Sequence, residues 1–190
     1  EVPGPVHIGL PAGIGADIAV AEDVVSPEIP SPIPAPDSAA LEKMTDLFQS
    51  SRKPVAVLGI SALRADSRDA VLDFLQKYRV PAVLTPMAKG LVPEDHPCYA
   101  GVLAHAMGNL VGEIHQQADL VLGIGYDPVE INYEDWIPDV PVAHIDTRPA
   151  DLDTGNFRLG CDVVGSLDDA LQFMRHMDVP ARDWDLEELA

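Results

Sequence analysis

The sequence predicts an α/β fold: a three-layer, five- or six-stranded parallel Rossmann-like sheet with helices on both faces. Three observations predict it. Residues Leu120 to Gly125 are all Leu, Val, Ile or Gly with no polar alternation, the pattern of a strand buried on both faces of a parallel sheet. From about residue 37 onward, similar apolar runs alternate with amphipathic stretches of helical period, joined by short loops, as in successive βα units. The apolar runs also end in loops carrying Gly, Thr or Asp, and the carboxyl edge of an open parallel sheet is where such folds hold ligands.

The elements follow in order. Residues 5 to 10 make a short extended segment before Pro11, and Ala12 to Ala16 form a Gly-containing loop. A dinucleotide reading of Gly13 and Gly15 fails because position 18 is Ile, not the third Gly of the fingerprint. Pro27, Pro30, Pro32, Pro34 and Pro36 remove backbone donors and favour extended geometry, so residues 26–36 read as a semi-rigid linker. Asp37 or Ser38 can cap a helix to about Ser51 with Leu41, Met44, Leu47 and Phe48 on one face. A buried strand over Val55 to Gly59 follows, then a helix striped by Val71, Phe74, Leu75 and Tyr78. Pro81 to Thr85 is the next strand, and Pro86 to Tyr99 reads mostly as loop. Met107, Leu110, Val111 and Ile114 mark another amphipathic helix, leading into the strand at Leu120. Pro141 to Asp146 and a short piece around Cys161 to Val164 complete the strands. Ser166 and Asp169 start the last helix as a capping box, with Leu167, Ala170, Leu171 and Met174 inside. This organisation gives an exit segment from a preceding domain over 1–25, the linker over 26–36, a central domain over 37–177 and an acidic linker over 178–190.

Charge limits the partners. Twelve Lys and Arg stand against 31 Asp and Glu, a formal net charge of −19, which repels nucleic acid and anionic membrane surfaces. An anionic ligand would have to be met by backbone N–H groups or a few placed cations. No apolar run has the length of a transmembrane helix. Cys98 and Cys161 lie far apart outside any CxxC arrangement, so two reduced thiols in a cytoplasmic protein are expected rather than a disulfide or zinc site.

Candidate site residues come from the strand ends. Gly59, Ser61, Thr85, Lys89, Gly125, Asp127 and Asp146 would line a nucleotide cleft, with His105 at the start of a helix near the same edge. Glycine allows close backbone approach, Asp146 could accept from ribose hydroxyls and Lys89 could meet a phosphate. The alternative is that the glycines only make tight strand-to-helix turns. His144, inside a strand, reads as a packed, hydrogen-bonded imidazole. The six histidines form no metal-ligand pattern, Ser61 lacks a GxSxG elbow, and Glu130, Glu134 and Asp135 show no acid/base pairing. No catalytic or metal site is expected on this chain.

Several segments resemble the central domain of thiamine-diphosphate-dependent enzymes: Gly4 to Pro11, Arg52 to Gly59, Val80 to Thr85, Lys89-Gly90, and Pro93 to Pro97 with Gly101. Ala118 to Glu130, Trp136 and His144 to Asp146 bring the likeness nearest to acetolactate synthases. The resemblance implies a parent that decarboxylates pyruvate or another 2-oxo acid and joins the acyl unit to a second one, a transferase or lyase. It also implies a pyrimidine-binding domain carrying a catalytic Glu before this segment and a pyrophosphate-binding domain with a Gly-Asp-Gly motif after it, which together hold thiamine diphosphate and Mg2+. Neither is in this sequence, so the chain alone is expected to bind no cofactor productively and to be non-catalytic. Homo-oligomers of the parent are implied too. FAD-using members tend to a Gly-Gly-Gly turn and a Gly-x-Arg-Phe-Asp-Asp loop, where this chain has Gly59-Ile-Ser61 and Gly125-Tyr-Asp-Pro-Val129. That pattern resembles the catabolic, FAD-independent branch, so FAD is disfavoured. The competing readings are an FAD-, ADP- or NAD-binding module and a purely scaffolding, oligomer-forming domain.

Overall fold

A computed structural model of the chain describes residues 7–9, 11–16, 32–103, 108–127, 130, 139–151 and 158–188. The chain divides into two units, 1–32 and 33–190. In the first, Ile14–Ala16 form one 3-10 turn. The second carries the sheet.

Helix α1 spans Ser38–Ser50. Asp37 caps it, its carboxylate accepting from the Ala39 and Ala40 N–H groups at 3.0 and 3.1 Å, which satisfies two of the donors a helix start leaves open. Strand β1, Pro54–Leu58, is buried along its whole length. A short helix α2, Ile60–Arg64, turns directly off it, and α3 covers Arg68–Tyr78, closed by Arg79 at φ 51° with its N–H returned to the Leu75 carbonyl. Strand β2 is Ala82–Leu84 and β3 is Tyr99–Val102. Helix α4 runs Gly108–Gln117, β4 Leu120–Ile124, β5 Pro141–Asp146, β6 Arg158–Val164 and α5 Leu167–Met174. At the head of α5 the Ser166 hydroxyl accepts from the Asp169 N–H at 3.2 Å, as the capping-box spacing predicts.

The six strands form one parallel sheet in the order β3-β2-β1-β4-β5-β6. That is the doubly wound order, with its direction reversing between β1 and β4. Right-handed crossovers running in opposite directions lie on opposite faces of a sheet. The β1-to-β2 connection through α3 and the β3-to-β4 connection through α4 are such a pair, which gives the three layers. On the α3 face, Phe48, Phe74 and Tyr78 form a ring cluster with centroids 5.2 to 5.3 Å apart. The Tyr78 hydroxyl, buried there, donates to the Met174 carbonyl at 2.5 Å and so joins α3 to α5.

Three features depart from the elements expected. β3 begins where the expected loop ends, at Tyr99, in a stretch where no strand was expected; it is a half-buried edge strand, and its Tyr-Ala-Gly-Val composition carries neither alternation nor a long apolar run. α2 is too short to show a helical period. β6 begins three residues before the apolar piece at Cys161, because pairing with β5 extends it through the exposed Arg158.

The ends of this unit are docked. The Pro34 carbonyl accepts from the Ser166 N–H at 2.9 Å, so the last linker prolines lie beside the turn after β6. The acidic stretch 178–188 packs back against the amino-terminal edge of the sheet. Trp184 is buried and donates through Nε1 to the Pro54 carbonyl at 2.7 Å. Arg182 donates to the Phe48 and Ser51 carbonyls, with its guanidinium 4.0 Å from the Phe48 ring centroid. Arg52 and Asp183 pair through two bonds of 3.0 and 2.7 Å. At the same edge the Asp119 carboxylate accepts from Ser51 Oγ and from the Arg52 and Lys53 N–H groups at 2.5 to 3.0 Å, aligning the starts of β1 and β4.

Candidate functional site

The reversal between β1 and β4 opens at the carboxyl ends of those strands, the place where doubly wound sheets bind ligands. Gly59 follows β1, Thr85 follows β2, and Gly125, Tyr126 and Asp127 follow β4. The strand ends interlock tightly. The Gly59 N–H donates to the Ile124 carbonyl at 3.1 Å, Ser61 N–H to the Gly125 carbonyl at 3.1 Å and Gly125 N–H to the Ile145 carbonyl at 2.8 Å. A methyl group on Gly59 would overlap the Gly125 carbonyl oxygen and lie 2.5 Å from Tyr126 Cα. Gly125 has φ 60°, and a methyl group there would overlap the Ala62 backbone N. Gly59 therefore admits the backbone at Gly125, and Gly125 admits the backbone of α2 at Ala62.

Glu130 completes the arrangement. Its carboxylate accepts from the Ile60 N–H at 2.9 and 3.0 Å, from Thr85 Oγ1 at 2.6 Å and from the Asp127 N–H at 3.2 Å. A methyl group on Gly59 would also sit 2.7 Å from Glu130 Oε1. One carboxylate thus bridges the loops after β1, β2 and β4. Sequence reasoning passed over Glu130 because its donors are up to 70 residues away. The available signal was an acidic side chain five residues after Gly125, just past the carboxyl end of the β4 run.

The predicted residues separate into groups. Gly59, Thr85, Gly125 and Asp127 gather around Glu130, and Ser61 joins them through its N–H. Asp146 ends β5 and is buried, with Oδ1 accepting from the Thr147 N–H at 2.5 Å and from its hydroxyl at 3.1 Å. Lys89 stands apart, its ammonium exposed and paired with Glu94 at 3.1 Å. That pairing holds its proton more firmly than usual, first through the hydrogen bond and then through Glu94's charge. His105 lies outside the described residues. His144 is buried with Nδ1 2.9 Å from Asp162 Oδ1 and Nε2 3.1 Å from the Tyr126 carbonyl. It is the packed, bonded imidazole expected, and it ties β5 to β6 and to the loop after β4.

Glu130 therefore occupies the space between the loops after β1, β2 and β4, backbone fills the approach at Gly59 and Gly125, and Lys89 is engaged elsewhere. Among the described residues no group of three or more His, Cys, Asp or Glu is placed to hold a metal ion, and no helix is long and apolar enough to cross a membrane. Cys98 and Cys161 are both free and buried, and burial pushes each thiol up to about 11. Since the thiolate is the reactive form, iodoacetamide at pH 8 is expected to leave both unmodified in the folded protein and to label both in guanidinium. Rapid native labelling, read by mass, would contradict the burial.

A sheet of this order with its glycine-lined reversal defines a doubly wound, Rossmann-like domain. The chain belongs to the central-domain family of thiamine pyrophosphate enzymes, whose family model matches residues 41–174. It is 31% identical over 160 residues to the acetolactate synthase large subunit of Corynebacterium glutamicum, covering 79% of this chain and 25% of that protein. It is 30% identical over 179 residues to the glyoxylate carboligase of Escherichia coli, covering 88% and 28%. Benzoylformate decarboxylase of Polynucleobacter necessarius shares the fold, with a TM-score of 0.65 and 21% identity over 88% of this chain and 31% of that one. The chain therefore spans between a quarter and a third of the length of these proteins.

Proposed function

We propose that this chain is the central segment of a thiamine-diphosphate-dependent carboligase or decarboxylase acting on pyruvate or another 2-oxo acid, nearest in kind to the FAD-independent acetolactate synthases. The observation that carries the proposal is the family match over 41–174, which falls on a sheet in the doubly wound order. In such a protein thiamine diphosphate, held with Mg2+ by pyrimidine- and pyrophosphate-binding domains of the same chain, supplies the carbon nucleophile for decarboxylation and C–C bond formation. The role of the present residues is positional. The docked ends at 33–36 and 178–188 hold the entry and exit of the chain against a rigid sheet, so neighbouring domains on either side would be set at a constant spacing. Self-association of the parent in the cytoplasm belongs to the same reading, as does catalysis without flavin, supported by the closed switch-point cleft.

The protein at its natural length, supplied with thiamine diphosphate and Mg2+, is expected to convert pyruvate to acetolactate with release of CO2. Added FAD is expected to leave the rate unchanged. Absence of both thiamine diphosphate binding and turnover of any 2-oxo acid would overturn the proposal.

A further inference from the structure

We propose that Glu130 is the internal occupant of the switch-point cleft, a carboxylate of the chain itself that takes the anion position and excludes a dinucleotide. The inference deepens the flavin-free reading above, and three observations support it. The carboxylate satisfies donors from three separate loops, Ile60 N–H after β1, Thr85 Oγ1 after β2 and Asp127 N–H after β4. These are the kinds of groups that cradle phosphate in doubly wound sheets. An incoming diphosphate would have to displace Glu130 or lie against its charge, and like charges at such separations repel strongly in a partly buried site. The chain supplies no compensating cation among the predicted cleft residues, because Lys89 is exposed and paired with Glu94.

Glu130 is also the part of the closure that can be removed without rebuilding the backbone. Gly59 and Gly125 pack main chain against main chain, whereas Glu130 contributes one side chain. Truncating it strands the Ile60 N–H, and an unpaired donor costs enough that a replacement acceptor is drawn in. The vacated position should therefore accept a small carboxylate or the phosphates of ADP more readily than the wild-type cleft does.

The test compares the wild-type protein at its natural length with Glu130→Ala and Glu130→Gln, using ADP in equilibrium dialysis and acetate against equimolar chloride in thermal unfolding. For Glu130→Ala, ADP is expected to bind at least about tenfold more tightly than to wild type. Acetate should raise its melting temperature above the chloride value while leaving wild type unmoved. Equal ADP affinity in the two proteins, whether measurable or absent, overturns the proposal, and so does an identical acetate response. If Glu130→Ala does not fold, Glu130→Gln carries the test. It keeps the shape and loses the charge, so ADP affinity should rise by about threefold or more, and an unchanged affinity overturns the proposal. A protein without carboligase activity that still gains ADP binding on Glu130→Ala would sink the functional reading and leave this one standing.

Discussion

Phe48→Ala is expected to lower the unfolding free energy by about 4 kcal/mol, within the range for aromatic truncation in a tight core. Phe48 is fully buried and meets Phe74 and Tyr78 at ring centroids 5.3 Å away. The opposite contact is the Arg182 guanidinium, 4.0 Å from the ring centroid. Removing the ring thus opens a void under α3 and also takes away the surface on which the carboxyl-terminal stretch rests. Arg182 is already costly to hold, since burial makes its guanidinium give up a proton more readily than usual despite Asp119 nearby. Urea denaturation should show a lower midpoint together with faster proteolysis near Arg182. A loss under about 1 kcal/mol would mean that the core relaxes around the gap and that the ring cluster is not a principal anchor.

Gly59→Ala is expected to cost more than about 3 kcal/mol, at the upper end for overpacking. The new methyl would overlap the Gly125 carbonyl oxygen and crowd Tyr126 Cα and Glu130 Oε1, two of which are backbone and cannot swing aside. Relief requires parting β1 from β4 where the sheet changes direction. Gly123→Ala is the internal control. Its added carbon would meet His144 Cδ2 at 3.5 Å and Tyr126 Cβ at 3.6 Å, ordinary packing distances, so it should cost less than about 1 kcal/mol. Comparable losses at both positions would show that glycine in β4 and after β1 is needed for some reason other than close approach.

Much of the fold was readable because burial on both faces writes itself into consecutive residues. β1, β2 and β4 each appear as short runs without polar interruption, β5 as a run interrupted by His144, and α1, α3 and α5 show their buried stripes and, for α1 and α5, their caps. The edge strand β3 was missed for the converse reason. With one side unpartnered it is only half-buried, and Tyr99, Ala100, Gly101 and Val102 carry no periodic signal. The acidic stretch 178–188 read as linker on composition, yet Trp184 and Leu186 are buried. Trp184 hydrogen-bonds to Pro54 of β1 and Arg182 rests on Phe48 of α1, both more than a hundred residues earlier.

At the candidate site the sequence alone determined which residues would stand at strand ends, because that follows from local hydrophobic runs and the glycines that stop them. Gly59, Thr85, Gly125, Asp127 and Asp146 stand where those runs predict. Strand order was decided only in three dimensions. Placing β4 beside β1 rather than beside β3, its neighbour in sequence, brings Glu130 to the Ile60 N–H across 70 residues and to Thr85 across 45. The same juxtaposition turns Gly59 toward the Gly125 carbonyl and Gly125 toward the Ala62 backbone, while Lys89 pairs outward with Glu94. Hydrophobic periodicity is a property of neighbours along the chain. A carboxylate reaching the free N–H groups of distant loops depends on how the strands are shuffled, and no local pattern encodes it.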